Sequence, residues 1–176
     1  ILWMPISNRR SEPNSETPES IVNLATRILN INNEKVADFC CGVGNFLINA
    51  IEQDKNSKYY GIEINTHYKE ISNIRLNLIS DYTEIEQGTV FDLNMDKKFD
   101  KIFCDYPWNI LKHNTGINKE KLQEFESVVP EIKKVVKSDW LFIMNVERHL
   151  KSNGKAVVIA TNGTTWNGGI DKKIRE

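Results

Sequence analysis

The sequence predicts an α/β protein with one mostly parallel β-sheet and helices on both of its faces. Three observations lead to this fold class. Short apolar strands alternate with segments of helical periodicity along the chain. The first strand runs directly into a glycine-containing turn that opens a helix, a junction typical of parallel sheets. The chain of 176 residues also has a length that suits one domain with a single core.

The first predicted element is a helix that begins at Thr17-Pro18. A hydroxyl side chain followed by proline is typical of an N-cap and a first helical position. Apolar residues then recur at helical spacing, and we expect them to form the buried face of the helix: Ile21, Leu24, Ala25, Ile28 and Leu29. Residues 1–16 are mostly polar and irregular. They are therefore assigned to an N-terminal extension, and residues 17–176 to the folded domain.

The rest of the chain alternates between strands and helices. Strands are predicted at 36–41, 59–64, 84–91, 101–105 and 156–161. Helices are predicted at 45–53, 66–79 and 140–150, with a last one beginning near residue 170. Ile71, Ile74 and Leu78 share one face of the 66–79 segment, and Trp140 and Phe142 are expected in the core. Because a sheet that stops at a fifth strand leaves an exposed edge, we expect the C-terminal strands of this fold to be missing.

The chain has no excess of positive charge. Lysine and arginine number 23, aspartate and glutamate 24, and the formal net charge is −1. A protein that binds DNA by itself usually has a basic excess, because neutralising phosphates supplies most of its non-specific affinity. The lysine pairs at 97–98, 133–134 and 172–173 are expected to be solvated surface. Any DNA binding is thus expected to depend on another segment or subunit.

The cysteines, the histidines and the hydropathy pattern argue against several other classes of protein. Cys40, Cys41 and Cys104 lie in apolar, strand-like segments without a C-x-x-C pair, which predicts reduced, buried thiols in a cytoplasmic protein. The histidines are scattered at spacings that do not suit a zinc site, at positions 67, 113 and 149. No apolar run approaches the roughly 20 residues that a membrane-spanning helix needs.

The most informative segment is the turn after the first strand, Asp38-Phe-Cys-Cys-Gly42-Val-Gly44-Asn-Phe-Leu47. Its glycines allow the backbone to turn tightly and to approach a ligand at the carboxyl ends of the strands. Glu63 lies nineteen residues after Gly44, where an acidic side chain can accept hydrogen bonds from both hydroxyls of a ribose. A glycine turn can also be a simple strand-to-helix connection, but the acids at positions 38 and 63 favour a nucleoside site.

Leu47 narrows the choice of cofactor. It stands where a dinucleotide-binding G-x-G-x-x-G turn has its third glycine, so a nicotinamide-dependent enzyme is disfavoured. The lysine of a G-x-x-x-x-G-K-[ST] phosphate loop is also absent. A cofactor without phosphate fits better, and the cationic sulfonium end of S-adenosylmethionine suits a nearby acid such as Asp38.

The segment Asp105-Tyr106-Pro107-Trp108 follows the fourth strand and resembles the [DNS]-P-P-[YFW] tetrapeptide of amino-group methyltransferases. The Asp105 side chain and the Tyr106 carbonyl can each accept a hydrogen from an exocyclic amine, which aims the nitrogen lone pair at a methyl donor. The Trp108 ring offers a face on which a flipped base can stack. Aspartate at the first position favours adenine N6 over cytosine N4.

Tyr106 departs from this tetrapeptide, which almost always has proline at the second position. The carbonyl of the residue is kept, but the ring that fixes the backbone dihedral angle is lost. This change leaves two alternatives open. Either the acceptor geometry is looser and the activity lower, or the protein is an inactive relative. Taken alone, D-x-P-W is often a turn with a core tryptophan, but its position after the fourth strand favours the catalytic interpretation.

With these motifs, the chain resembles the methylation subunit of type I restriction–modification systems from about residue 16 to its end. The matching stretches are 16–18, 38–47, 61–65, 99–108, 139–142, 150–159 and 163–175. The last stretch, with Gly163, Trp166, Gly168-Gly169 and Ile174-Arg175, is specific to type I-like enzymes. Glu16 replaces an aromatic residue of the family, and Asp92 stands where the family is expected to contact the adenine of its cofactor.

The resemblance implies a Rossmann-like class I methyltransferase fold and methyl transfer from S-adenosylmethionine to adenine N6 in double-stranded DNA. It implies cofactor contacts by Glu16, Thr17, Pro18, Asp38, Cys41, Gly42, Val43, Gly44, Asn45, Phe46, Glu63, Ile64, Asp92 and Asp105. It also implies a specificity subunit, a second methylation subunit and a restriction subunit as partners, with weak DNA binding by this chain alone. A non-catalytic S-adenosylmethionine-binding remnant and a methyltransferase acting on RNA or a protein amide are the alternatives.

Overall fold

The computed structural model describes residues 16–176, so the predicted extension at 1–16 lies outside it except for Glu16. The helices are α1 (Glu19–Leu29), α2 (Asn45–Gln53), α3 (Thr66–Asn77), α4 (Lys119–Val128), α5 (Asp139–His149), α6 (Asn162–Trp166) and α7 (Ile170–Arg175). The strands are β1 (Lys35–Phe39), β2 (Lys58–Glu63), β3 (Thr83–Gln87), β4 (Phe99–Cys104) and β5 (Leu150–Val158). They form one parallel sheet, as predicted, and its strand order is β3-β2-β1-β4-β5.

The two faces of the sheet carry separate apolar clusters, because successive side chains of a strand point to opposite faces. One cluster joins the sheet to α1, α2 and α3, and in it Phe46 stacks on Phe103 with ring centroids 4.4 Å apart. The other joins the sheet to α4 and α5 and includes Phe125 and Phe142. None of the helices between residues 16 and 176 is both long enough and apolar enough to cross a membrane.

Helix α1 begins and packs differently from the prediction. Pro18, not Thr17, is its N-cap residue, and no side chain caps the helix. Leu24 and Ile28, predicted to be buried, are 54% and 53% exposed. The buried face consists instead of Val22, Ala25, Thr26 and Leu29. Threonine can join this face at little cost, because its hydroxyl donates to the carbonyl of the residue four positions earlier in the helix.

Helix α3 buries a different face from the apolar one that its periodicity indicated. Ile74 and Leu78 are 64% and 76% exposed. Ser72 and Leu76 are fully buried instead, because this face approaches the backbone of Gly44 very closely. Periodicity identified an apolar stripe, but the room available beside the glycine turn decided which stripe faces inward.

Several element boundaries also differ from the prediction. Strand β3 ends at Gln87, and a 3-10 turn covers Val90–Asp92. Strand β5 begins at Leu150, directly after α5, although the residues at 151–154 disfavour strands. Pairing with β4 imposes this extension, with an irregular register opposite Phe99 and Lys101. The short helix α6 was not predicted, since Asn162-Gly-Thr-Thr has low helix propensity.

Candidate functional site

Three acidic side chains lie together at the carboxyl ends of neighbouring strands. Asp38 is near the end of β1, Glu63 is the last residue of β2, and Asp105 directly follows β4. Strand β1 pairs with β2 on one side and with β4 on the other, so the parallel topology brings the three residues to one edge of the sheet. We name this group the carboxylate cluster.

Asp38 is the most deeply buried member of the carboxylate cluster, with 2% of its surface exposed. Burial, and then the charges of Asp105 and Glu63, raise the pKa of its carboxyl group well above the usual range. Its Oδ1 atom is buried and has no hydrogen-bond partner among the described residues. A buried acceptor without a partner is costly, and a cationic or hydrogen-donating ligand group would satisfy it. The carboxylate cluster therefore fits a ligand with a positively charged or hydrogen-donating group.

Gly42 links the turn after β1 to Glu63. Its backbone N–H donates to Glu63 Oε2 at 2.8 Å, and the Asn65 N–H donates to Oε1 at 2.8 Å. Gly42 has a φ of 54°, and nothing lies within 4 Å of where a β-carbon would be. The turn is thus held in a left-handed conformation that favours glycine, and it borders open space from which a ligand can approach the backbone.

Gly44, unlike Gly42, packs closely against α3. It is the N-cap of α2 with a φ of 86°, and a β-carbon there would lie 2.7 Å from Ser72 Oγ and 3.3 Å from Leu76 Cδ1. Arg75 adds a second tie between α3 and the turn, donating to the Val43 carbonyl at 2.7 Å and to the Asn45 side chain at 2.8 Å. Gly44 therefore serves the packing of α3 against the turn.

We expect the Gly44→Ala variant to lose about 2–3 kcal/mol of unfolding free energy, because a methyl group would combine a clash with a left-handed backbone. Urea unfolding of the ligand-free protein measures this loss. Gly42→Ala is the matched control, since it has the same backbone strain without the clash and should cost about 1 kcal/mol. Equal losses for the two variants would show that packing against α3 does not require glycine at position 44.

Asp105 is oriented by a residue from the start of the described chain. The Thr17 hydroxyl donates to Asp105 Oδ2 at 2.6 Å, which explains why this side chain does not cap α1. Burial raises the pKa of Asp105, and the Thr17 hydrogen bond opposes this rise. Glu16, next to it, accepts a hydrogen bond from Asn45 Nδ2 at 3.2 Å. The segment before α1 thus lies across both the glycine turn and the end of β4.

The rest of the tetrapeptide has one buried and one exposed aromatic ring. Tyr106 is 1% exposed, stacks on Phe142 with centroids 4.9 Å apart, and donates to Asp139 Oδ1 at 3.2 Å. Trp108 is half-exposed, and its indole N–H donates to the Ile159 carbonyl at 3.2 Å. The tyrosine at the family's proline position is therefore a core residue, while the tryptophan ring is available at the surface.

The remaining predicted cofactor residues are distributed around the turn and the end of β2. Cys41 and Phe46 are core residues, and Val43 is also buried. Ile64 is 60% exposed at the end of β2, and its side chain lies near Gly116. Pro18 lies next to Thr17 at the start of α1.

Asp92 lies at the end of the 3-10 turn after β3, and its side chain is exposed and hydrogen-bonded to no described residue. Another residue after β3 contacts the end of β2: the Gly88 N–H donates to the Glu63 carbonyl at 3.0 Å. The next residue, Thr89, donates to the Thr115 carbonyl at 3.1 Å. This Gly88-Thr89 turn was not singled out from the sequence, although a glycine directly after a strand was a usable signal.

Residues distant in the sequence support the site and were not predicted to do so. Arg75 and Ser72 hold the glycine turn, and Asp139 holds Tyr106. In the sequence, Asp139 is recognisable only as the first residue of the family-like stretch at 139–142. The three cysteines are free; Cys41 and Cys104 are buried as predicted, whereas Cys40, also predicted to be buried, is half-buried.

Solved structures with a similar fold include methyltransferases. A putative class I S-adenosylmethionine-dependent methyltransferase from Listeria monocytogenes aligns with a TM-score of 0.71 at 18% identity, covering 90% of this chain and 50% of that one. Coclaurine N-methyltransferase, solved with N-methylheliamine and SAH, aligns with a TM-score of 0.56 at 14% identity, covering 82% of this chain and 38% of that one. These likenesses establish the class I methyltransferase fold.

Sequence relatives agree with this fold. The type I restriction enzyme MjaIX methylase subunit of Methanocaldococcus jannaschii is 26% identical over 175 residues, covering 91% of this chain. The type II methyltransferase M.VspI of a Vibrio species is 37% identical over 76 residues, covering 40% of this chain. The aligned regions span 31% and 19% of those two proteins. The N-6 DNA methylase family model matches residues 11–176, and the chain therefore belongs to that family.

Proposed function

We propose that this chain binds S-adenosylmethionine at the carboxylate cluster and directs its methyl group to N6 of an adenine in DNA. The observation that carries the proposal is the meeting of Asp38, Glu63 and Asp105 at one edge of the sheet, with an unpaired buried oxygen on Asp38. Membership of the N-6 DNA methylase family supports the choice of reaction. When bound, the cofactor supplies a methyl group activated by a sulfonium cation.

In this proposal the chain holds the cofactor through charge and through hydrogen-bond acceptors. Asp38 faces its cationic end. Each Glu63 oxygen already accepts one backbone N–H and has a further lone pair for a ribose hydroxyl. Ile64 offers an exposed apolar side chain beside the ribose-binding acid. The other proposed contacts come from the segment before α1, the glycine turn and the turn after β3: Glu16, Thr17, Pro18, Cys41, Gly42, Val43, Gly44, Asn45, Phe46 and Asp92.

The proposed substrate end of the site is the tetrapeptide Asp105, Tyr106, Pro107 and Trp108. The Thr17 hydroxyl donates to Oδ2 of Asp105, and no described side chain donates to the other oxygen, which can accept a hydrogen from the adenine amine. The carbonyl of Tyr106 accepts the second hydrogen, so that the nitrogen lone pair is aimed along one direction. The half-exposed Trp108 ring provides a stacking surface for a base flipped out of the duplex.

We propose that residues 17–176 act as the catalytic domain and that target recognition comes from a separate specificity subunit. The net charge of −1 supports weak DNA binding by the chain alone. The methylase-subunit relative supports a type I assembly, in which a second methylation subunit and a restriction subunit would complete the complex.

A methyl-transfer assay with tritiated S-adenosylmethionine tests this function. We expect label in duplex DNA as N6-methyladenine, identified by mass spectrometry of the nucleosides, and much more of it with a cognate specificity subunit present. RNA and protein acceptors should remain unlabelled in the same reaction. Cofactor binding without transfer to any acceptor would identify a non-catalytic protein, and label in RNA or protein would refute the proposed substrate.

A further inference from the structure

The side chain of Tyr106 is anchored at both its ring and its hydroxyl. The ring lies nearly parallel to that of Phe142, at an interplanar angle of 4°. The hydroxyl donates to Asp139, which is itself only 4% exposed. The backbone of residue 106 cannot rotate far without moving this ring away from Phe142 and from Asp139. The anchoring therefore restricts the backbone at the position where the family tetrapeptide has a proline ring.

Asp139 connects Tyr106 to the chain that leaves β5. Its Oδ1 atom accepts from the Tyr106 hydroxyl at 3.2 Å and from the Thr161 hydroxyl at 2.5 Å. Since Asp139 is the first residue of α5, the two hydrogen bonds join the end of β4, the start of α5 and the end of β5. The Ile159 N–H adds a backbone tie to the Cys104 carbonyl at 2.9 Å.

We propose that Tyr106 is a positioning residue whose stacked, hydrogen-bonded ring fixes the carbonyl of residue 106, as a proline ring would. This inference rests on the proposed function, because it assigns that carbonyl the task of accepting an amine hydrogen. The Tyr106 N–H donates to no described backbone carbonyl, so proline at this position would cost no hydrogen bond. Asp139 and Thr161 are the partners that allow a tyrosine to hold the backbone at this position.

The direct test removes only the hydroxyl. We expect Tyr106→Phe to keep the stacking on Phe142 but to lower kcat for DNA methylation about tenfold, the usual effect of losing a hydrogen bond to a charged group. The calorimetric Kd for S-adenosylmethionine should not change, since the cofactor residues are untouched. Hydrogen exchange should become faster in peptides that cover residues 105–109.

Tyr60→Phe is the matched control. Tyr60 is also a buried tyrosine whose hydroxyl donates to a carboxylate, that of Glu86, but it lies on β2 away from the tetrapeptide. Its variant should lose a similar amount of stability with kcat unchanged. An equal fall of kcat in both variants would show that Tyr106 acts through general stability, and would overturn the inference.

The family residue provides a rescue experiment. We expect Tyr106→Pro to retain kcat within about threefold. Thr161→Val should lower kcat in the wild-type background, but it should not change the kcat of the Tyr106→Pro variant. Additive losses of kcat in the double variant would refute the claim that the anchored tyrosine ring does what a proline ring would do. If the wild type shows no methyl transfer, the proposed function fails, whereas unchanged hydrogen exchange in Tyr106→Phe is the result that refutes the positioning role.

Discussion

Replacing Asp105 with alanine should lower kcat for DNA methylation by about 10²–10³-fold, the usual effect of removing one group that stabilises charge in a transition state. The variant loses the acceptor that draws a hydrogen from the adenine amine, so the nitrogen lone pair is no longer aimed. Steady-state kinetics with a methylatable duplex measures the loss. The Kd for S-adenosylmethionine, measured by calorimetry, should change by less than about tenfold.

Two further variants show which property of Asp105 matters. Asp105→Asn keeps an acceptor oxygen and a residue that the family tetrapeptide permits, so most of the activity should remain. Thr17→Val removes the 2.6 Å hydrogen bond that orients the carboxylate and should lower kcat by about tenfold. Full activity in Asp105→Ala would refute a role for this side chain in catalysis.

Replacing Asp38 with asparagine should have opposite effects on binding and on stability. We expect the affinity for S-adenosylmethionine to fall by about 10–100-fold, because the variant loses a buried negative charge opposite a cation. The ligand-free protein should become more stable at neutral pH, because asparagine does not suffer the cost of a buried, unpaired carboxylate. Calorimetry and urea unfolding of the same variant measure the two effects.

The pH dependence gives this prediction a definite sign. The pKa of Asp38 is raised well above its ordinary value of 3.8 in the folded protein. The unfolded state therefore loses its proton first, and this carboxyl group reduces stability as the pH rises from 3.8 through its folded pKa. The Asp38→Asn variant lacks that contribution. Binding of the cationic cofactor to the wild type should weaken as the pH falls through the folded pKa of Asp38, because the cation favours the ionised carboxylate.

Asp100 is a control for Asp38, because its replacement should have the contrasting effects on stability and on cofactor affinity. It lies near the start of β4, away from the carboxylate cluster, and its carboxylate pairs with Lys151 at 2.8 Å. Asp100→Asn should lower stability and leave cofactor affinity unchanged. Weaker cofactor binding in this variant, or unchanged binding in Asp38→Asn, would contradict the assignment of the cation-facing acid.

The location of the carboxylate cluster could be predicted from the sequence because it follows from topology. Parallel strands have their carboxyl ends at one edge, so recognising β1, β2 and β4 as strands placed Asp38, Glu63 and Asp105 at that edge, and the pairing of β1 with both other strands then makes them neighbours. The glycine turn and the start of α2 at Asn45 were predicted from local signals. The turn and the helix start each depend on residues within a few positions of one another.

Features that depend on contacts between distant segments could not be predicted. The partners of Tyr106 lie 33 and more residues away, so the sequence showed the lost proline but not the anchoring that accompanies tyrosine. Periodicity on α3 favoured Ile74 and Leu78, yet the lack of room beside Gly44 selected Ser72. The extension of β5 through 151–154 likewise depends on its pairing partner rather than on its composition.

The hydrogen bond between Thr17 and Asp105 joins residues 88 positions apart, with four strands and three α-helices between them in the sequence. Contacts of such long sequence separation close late, because they carry the entropy of the whole intervening loop. A chain emerging from the ribosome would hold its glycine turn before its aspartate was locked in place. The orientation of Asp105 should therefore be among the last features of the site to form during folding.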